Sequence, residues 1–399
     1  MDQPASHHRQ FAPDTSRKVR AFAGLAFCLV LPSCGVIQKY FGNPGLLIYL
    51  VAASTILWIA YSYSSGLILS RLSEKQALYL TVATLAALVA IFALIYPSAN
   101  VHLAGHGSDA DDALNLAVSE LLHGRYPYYS QTYLHNVIAN LPGAILLATP
   151  FVLLGNSAYQ NLFWLAAFFF ATSRLTRSFG RGLILVWTLL IFSPVVMNYV
   201  VTGGDDLANS IYVLLFMLLT VRWVSSSDVP AWKRVLAALL VGVGLSSRAN
   251  FLLVMPQLFA ALTIKVGWRA ALNYVAGAGA AFAAVTIPFW LYDPAGFTPL
   301  HAQAHKVAEF QTILPFAGLV VPALGGCIAM ALACRSIKLR RETWLRDCAI
   351  VQAFLVVCVV TLTIIQTGTL SLTSTSYGVF FLFFGVLAFG PKMFETTNA

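Results

Sequence analysis

The chain has 399 residues, of which 59% are hydrophobic and only 10% are charged, and its formal net charge is +9. Soluble domains carry roughly 25% charged residues, so this composition excludes an ordinary soluble protein and predicts a membrane protein. Apolar runs of about 20 residues recur along the chain, as membrane-spanning helices require. The basic residues cluster between these runs, which favours a role in topology over nucleic-acid binding.

The predicted elements begin with a basic cytoplasmic tail over residues 1–20, and residues 21–399 form a single transmembrane domain. A long polar interruption dominates residues 98–155, which are predicted to form an outer-face loop and juxtamembrane catalytic segment. The apolar runs lie near 21–38, 46–66, 77–97, 136–155, 158–173, 182–200, 207–224, 233–247, 249–264, 270–291, 313–334, 348–366 and 373–390.

The run at 136–155 is predicted to be a non-spanning hairpin, because Pro142, Gly143 and Pro150 interrupt a regular helix. With this run outside the membrane, every later basic cluster falls in the cytoplasm, as the positive-inside rule requires. Of the 24 Lys and Arg, those left at the outer face are Lys39, Arg125, Arg248 and Lys306. The sequence therefore predicts an all-α polytopic membrane protein with about 12 transmembrane helices and both termini inside.

Three carboxylates, Asp109, Asp111 and Asp112, crowd the start of the outer segment in a chain with only 15 acidic residues. From Asp111 to His123, polar residues recur at helical spacing, which predicts an amphipathic helix in the membrane interface. Helix capping accounts for one of the acids. A carboxylate can also take a proton from an acceptor hydroxyl, and clustered carboxylates can raise one another's pKa or share a divalent cation. The sequence leaves these last two alternatives open.

A second acidic element, Asp205 and Asp206, follows two glycines between apolar runs. It is interpreted either as a turn with a helix cap or as a group that orients a sugar or a metal. Arg248 lies near the outer boundary, where an unpaired arginine is costly. It is predicted to bind a phosphate through its guanidinium, or else to form an ion pair with Asp205 or Asp206.

Two further groups are candidate substrate-binding residues. His301 and His305 are four residues apart and share a face if their loop is helical. With Lys306 they are interpreted as a cationic cradle for a lipid phosphate, or as ordinary loop residues. In the outer segment, the candidates for stacking on a sugar or closing the site are Tyr126, Tyr128 and Tyr129. The neighbouring cation Arg125 is a further substrate-binding candidate.

The order of these elements resembles the GT-C superfamily of integral membrane glycosyltransferases, which use polyprenyl-phosphate-linked sugars as donors. The resemblance covers roughly residues 100–260, and three predicted spans precede the acidic loop where many relatives have one. The matching elements are Asp111-Asp112, Gly124, Tyr126-Pro127-Tyr128, Leu141-Pro142-Gly143, Leu154-Gly155, Arg174…Arg181, Ser193-Pro194, Gly203-Gly204-Asp205-Asp206-Leu207 and Gly242…Gly244…Arg248.

The resemblance implies an inverting glycosyltransferase that moves a sugar from a polyprenyl-phosphate donor to a lipid or cell-envelope glycan acceptor. The expected location is a bacterial inner membrane, with the active site on the periplasmic face. Asp111 or Asp112 would act as the base, with Asp109 in support. The candidates to hold the donor phosphate are Arg248, His301, Lys306 and Arg125.

Two rival functions remain open from the sequence. A secondary transporter or lipid-linked flippase would place charges inside its spans and usually contain internal repeats. A non-catalytic membrane scaffold would use the acidic helix to dock a partner.

Overall fold

The computed structural model describes residues 15–63, 72–101, 108–301 and 309–390. The structure is 82% helix, and these residues form no strand. The α-helices are α1 (Thr15–Val30), α2 (Cys34–Tyr63), α3 (Glu74–Ala99), α4 (Asp112–Leu122), α5 (Pro142–Leu153), α6 (Tyr159–Thr176), α7 (Phe179–Phe192), α8 (Pro194–Thr202), α9 (Asp206–Val224), α10 (Ala231–Leu245), α11 (Met255–Val266), α12 (Trp268–Tyr292), α13 (Ala317–Leu339), α14 (Trp344–Thr367) and α15 (Val379–Phe389). The 3-10 helices include Ala249–Val254 and Thr373–Gly378.

The chain is a polytopic helical membrane protein by the length and composition of its helices. Within the described ranges, 7 helical segments are long and apolar enough to cross a bilayer, and α7 with α8 adds an eighth if this pair, bent by 83°, is one span. The segments are Lys18–Ser62, Glu74–Ala99, Asp206–Val224, Ala249–Val266, Trp268–Tyr292, Ala317–Leu339 and Trp344–Thr367.

The first of these segments folds back on itself. Gly42 has φ 65° and ψ −170°, a conformation that glycine adopts far more readily than other residues, and it interrupts α2. On the far side of the bend, the ring of Trp58 returns to within 4.8 Å of the ring of Phe22. The segment therefore contains two antiparallel halves, as separate apolar runs at 21–38 and 46–66 lead one to expect.

Helix α5 is a short element that packs against α4, α10 and α12. It has 12 residues, so it is about 18 Å long, whereas a bilayer core is about 30 Å thick. Pro142 stands at its first position, where the missing N–H costs nothing. The Gly143 N–H donates to Ser246 Oγ at 3.0 Å, and the Leu141 N–H donates to the Ser247 carbonyl at 3.1 Å. These bonds attach the start of α5 to the end of α10.

The basic loops and the buried carboxylates lie at opposite ends of the bundle. The basic residues lie in or just after the last turns of α6 and α13, or in the first turn of α10, and they include Arg174, Arg177, Lys233, Arg234, Lys338 and Arg340. At one end, called the basic end, Glu74 at the start of α3 accepts a hydrogen bond from the Phe179 N–H at the start of α7. Lys265 pairs with Glu342 at the same end, 2.8 Å apart. At the opposite end, called the acidic end, the last turn of α3 meets Asp111. The carboxylates before α4 and α9 are therefore on the opposite side of the bundle from the basic loops.

At Gly143 the backbone of α5 lies close to the backbone at the end of α10. A Cβ at this position would lie 2.2 Å from the Val243 carbonyl oxygen and 2.5 Å from the Ser246 carbonyl oxygen. Helix backbone cannot move aside locally, so Gly143→Ala is expected to lower the free energy of unfolding by roughly 1–3 kcal/mol. Thermal unfolding in detergent would measure this. Gly279→Ala in α12 is the control, since its Cβ meets nothing within 4 Å; equal losses would contradict the packing argument.

Candidate active site

A buried cluster of opposite charges lies where α9 begins and α10 ends. Arg248 follows the last turn of α10, and its Nη2 lies 2.8 Å from Asp205 Oδ1 and 3.1 Å from Asp206 Oδ1. Both carboxyl groups are less than a tenth exposed. Burial opposes the charge on Arg248, but Asp205 and Asp206 offset this and raise its pKa, so the guanidinium stays protonated. Ion pairing, one of the two predicted roles of Arg248, is therefore present.

The second oxygen of Asp205 is held by amides from two other elements. Asn140, just before α5, donates from Nδ2 to Asp205 Oδ2 at 2.5 Å, and Asn209 in α9 donates to the same oxygen at 2.7 Å. The Tyr212 hydroxyl in turn donates to Asn209 Oδ1 at 2.5 Å. Because these partners are buried, the carboxyl group of Asp205 is fixed in one orientation by α5, α9 and α10.

Asp111 is a second buried carboxylate, only 3% exposed, immediately before α4. Its side chain makes no N-cap hydrogen bond, so capping does not explain it. Instead, Oδ2 accepts from the Tyr96 hydroxyl of α3 and from Asn115 Nδ2, the latter at 3.1 Å. Asn156, after α5, donates to the Tyr96 hydroxyl at 2.5 Å. The other oxygen, Oδ1, is buried and has no partner in the part of the chain that the structure describes.

The turn at Gly203 and Gly204 lies between the two carboxylate groups. Gly203 has φ 74°, and a Cβ there would lie 2.8 Å from Asp111 Cβ and 2.9 Å from Ala158 Cβ. A side chain would therefore both strain the backbone and displace Asp111. The turn therefore packs directly against Asp111, and Asp205 and Asp206 follow it in the chain.

Asp109 and Asp112 have different surroundings from Asp111. Asp109 accepts hydrogen bonds from Thr132 Oγ1 at 2.6 Å and from Asn136 Nδ2 at 2.8 Å. Asp112 is the first residue of α4 and is partly exposed. Among the described residues, no three His, Cys, Asp or Glu side chains converge as metal ligands. The structure therefore does not bring Asp109, Asp111 and Asp112 together as a shared cation site.

The tyrosines of the outer segment are mostly structural. The Tyr126 hydroxyl donates to the Phe289 carbonyl at 2.8 Å, and the Tyr128 hydroxyl donates to the Asn140 carbonyl at 3.0 Å. Both rings are buried, and burial raises the pKa of Tyr126 to about 12. Tyr129 is 63% exposed, and its hydroxyl donates to Asp293 Oδ2 at 2.9 Å. Of the three rings, Tyr129 is the one with a large exposed surface.

The remaining predicted cations lie away from the buried carboxylates or outside the described ranges. Arg125 forms a two-pronged pair with Glu120, with Nε 2.5 Å and Nη2 2.8 Å from its two carboxylate oxygens. His301 is exposed, with Nε2 3.2 Å from the Pro294 carbonyl oxygen. His305 and Lys306 fall within residues 302–308, outside the described residues. No described contact joins Arg125 or His301 to Asp111, Asp205 or Arg248.

Several residues of the cluster were not predicted as site residues from the sequence. They include Tyr96, Asn115 and Asn156 around Asp111. Tyr199 also belongs here, since its hydroxyl lies 3.4 Å from Asp206 Oδ2 and 3.3 Å from the Ser376 carbonyl oxygen. This second contact places the 3-10 helix Thr373–Gly378 beside the site, although the C-terminal part carries no recognisable motif. The signal that could have indicated these residues is their position, because they are polar residues at the ends of apolar runs.

Compared with known proteins, the chain matches no family model, and no curated protein or solved structure is significantly similar to it. The resemblance to the GT-C superfamily therefore rests on the order of motifs in the sequence.

The hydroxyl of Tyr96 is expected to stabilise the buried Asp111. Tyr96→Phe removes the donor to Asp111 Oδ2 and the acceptor of Asn156. A hydrogen bond to a charged group contributes about 1.5–3 kcal/mol, so we expect a loss of that size in the free energy of unfolding. Tyr79→Phe on the same helix is the matched control, because Tyr79 is 73% exposed. A Tyr96→Phe variant that melts with the control would show that this bond contributes nothing.

Proposed function

We propose that the protein is an inverting glycosyltransferase that moves a sugar from a polyprenyl-phosphate donor to a lipid or glycan acceptor. The observation that supports this is the gathering of Asp111, Asp205 and Arg248 around the Gly203–Gly204 turn, at one end of a membrane helix bundle. Carboxylates at the edge of a bilayer can meet a lipid-linked donor and a polar acceptor in one place.

In the proposed reaction, an acceptor hydroxyl attacks the anomeric carbon while the bond from that carbon to the phosphate oxygen breaks. The polyprenyl phosphate leaves with the bonding electrons, and a carboxylate takes the hydroxyl proton. Asp112 suits this role because it is partly exposed, whereas Asp111 is only 3% exposed. Asp111 is better suited to positioning, with its unpartnered Oδ1 accepting a hydrogen bond from a sugar or acceptor hydroxyl. Asp109 is assigned a supporting role beside the carboxylate that acts as the base.

The roles of the cations follow from their partners. Arg248 is shared by two carboxyl groups, so we assign it to holding Asp205 and Asp206 in place. Phosphate-binding candidates that remain are the exposed Arg125 and His301, and His305 and Lys306. A cation near the departing phosphate would stabilise the negative charge that develops there.

For the topology, we propose about 12 crossings, with α4 and α5 lying at the surface and the acidic end in the periplasm of a bacterial inner membrane. The proposal is supported by the separation of charge. Lys265, Glu342 and the arginines around them lie at the basic end, and basic loops stay in the cytoplasm.

A transporter or flippase is less well supported. Such a protein places ionisable groups near the middle of its spans. Here the buried carboxylates in the described ranges lie at or beside helix N-termini, where the helix dipole favours negative charge. These carboxylates are Asp111, Asp205, Asp206 and Asp347.

To test the donor class, labelled polyprenyl-phosphate hexoses and pentoses are added to membranes that contain the protein. Labelled nucleotide sugars are added to the same membranes in parallel. Membranes without the protein are the control. Release of polyprenyl phosphate that depends on the protein is the expected result. Transfer from nucleotide sugars alone would overturn the proposed donor.

A further inference from the structure

A short loop at the acidic end, residues 131–137, folds back on itself. Gln131 and Val137 pair in an isolated antiparallel bridge. Inside this pair, the Thr132 N–H donates to the Asn136 carbonyl at 3.0 Å, and the Asn136 N–H donates to Thr132 Oγ1 at 3.2 Å. The two sides of the 131–137 loop are therefore joined to each other, and the residues between them form a tight tip.

Asp109 attaches the 131–137 loop to the carboxylates before α4. Its Oδ2 accepts from Thr132 Oγ1 at 2.6 Å on one side of the loop and from Asn136 Nδ2 at 2.8 Å on the other. Asp109 is two residues before the buried Asp111. Hydrogen bonds to a charged group are stronger than those between neutral groups, so Asp109 is well suited to hold the loop at this position.

Tyr133 is the tip residue that lies beside these carboxylates. Residues 134–137 are exposed, whereas Tyr133 is only partly exposed. Burial raises the pKa of the Tyr133 hydroxyl, and so do the negative charges of Asp109, Asp112 and Asp111. Only charges close to a group shift its pKa in this way. The loop therefore places a protonated phenol next to three carboxylates, of which Asp112 is also partly exposed.

We propose that Tyr133 binds the sugar of the polyprenyl-phosphate donor, and that Asp109 acts as a positioning residue by anchoring the 131–137 loop. The inference rests on the proposed function, which supplies this donor. A phenol donates a hydrogen bond and a carboxylate accepts one, so a sugar hydroxyl can accept from Tyr133 and donate to a carboxylate beside it. Carboxylates repel a phosphate, so the part of the donor that fits beside them is its neutral sugar.

The test is the binding of a labelled polyprenyl-phosphate hexose or pentose to the full-length protein in detergent, compared with the binding of polyprenyl phosphate. Tyr133→Phe removes the proposed donor of one hydrogen bond. We expect it to weaken binding of the sugar-bearing lipid roughly 2- to 10-fold and to leave binding of polyprenyl phosphate unchanged. Tyr292→Phe is the matched control, since Tyr292 ends α12 and is 72% exposed, and it should change neither.

A second variant tests the positioning role. Thr132→Val removes one of the two bonds to Asp109, and Thr132 is only 4% exposed, so its own side chain is not placed to touch a sugar. We expect weaker binding of the sugar-bearing lipid together with faster hydrogen exchange of the His135 amide, which donates to the Thr132 carbonyl at 2.9 Å. Thr132→Ser keeps the hydroxyl and should restore both.

Unchanged binding by Tyr133→Phe, or an equal loss for polyprenyl phosphate without the sugar, would overturn the proposal. Faster exchange in Thr132→Val with normal binding would overturn the role of Asp109. Because binding needs no turnover, a protein that binds the donor through Tyr133 without transferring its sugar would support this inference and contradict the proposed reaction. A wild type that binds no polyprenyl-phosphate sugar would overturn both.

Discussion

Asp112→Asn is expected to lower the rate of glycosyl transfer by about 10²- to 10⁴-fold, the usual contribution of a general base. Asparagine keeps the shape of the side chain but cannot accept the proton of the acceptor hydroxyl. Asp112 is the first residue of α4 and is partly exposed, so the substitution should leave the fold intact. The measurement is the turnover rate of purified variant protein on the donor that the wild type uses.

The control for this prediction is Asp228→Asn in the loop between α9 and α10, which makes the same chemical change at an acid outside the proposed site. Asp228 is exposed, and its described contact is a hydrogen bond from Ser227 Oγ at 3.2 Å. Its loss should leave turnover nearly unchanged. If Asp112→Asn retains activity while Asp111→Asn loses it at equal protein level, the base is Asp111 and the assignment from exposure is wrong.

Replacing Arg248 with methionine is expected to lower the free energy of unfolding by about 3–5 kcal/mol, because it leaves buried carboxyl groups without their cation. Asp205 and Asp206 are 5% and 7% exposed, so water cannot readily take the place of the guanidinium. Thermal and denaturant unfolding in detergent would measure the loss. Arg125→Met removes a pair whose arginine side chain is 60% exposed, and it should change stability little.

A second variant keeps this prediction falsifiable. Adding Asp205→Asn and Asp206→Asn to Arg248→Met removes the unpaired charges and should recover part of the stability, as expected when two groups interact directly. If the triple variant is no more stable than Arg248→Met alone, the loss comes from packing of the arginine side chain.

The helical parts of the structure were predictable because they follow from local pattern. The amphipathic helix predicted from Asp111 to His123 is α4, and on its apolar face Leu114, Ala117 and Val118 are buried while Leu121 is partly exposed. The run at 136–155 was predicted to form a hairpin interrupted by Pro142, Gly143 and Pro150, and this was wrong in detail. Pro142 begins the 12-residue helix α5, where a proline is tolerated, and Pro150 lies inside that helix. The pairing of Arg248 with Asp205 and Asp206 was one of two roles expected from its position.

The partners of the site residues were not predictable, because they come from distant parts of the chain. Asp111 meets Tyr96 from the end of α3, and Asp205 meets Asn140, which is 65 residues earlier. No spacing rule connects such positions. Tyr126 and Tyr128 show the reverse problem, because aromatic residues near a candidate site suggested sugar binding, but their hydroxyls donate to main-chain carbonyls in a buried core.

The most direct test uses sealed vesicles that contain the purified protein and a polyprenyl-phosphate sugar labelled separately in the sugar and in the lipid. Glycosyl transfer predicts that the two labels part, with the sugar label entering an acceptor and the lipid label recovered as polyprenyl phosphate. It also predicts that Asp112→Asn prevents this separation. Movement of the intact donor across the membrane, with both labels still joined, would contradict the account and identify a flippase.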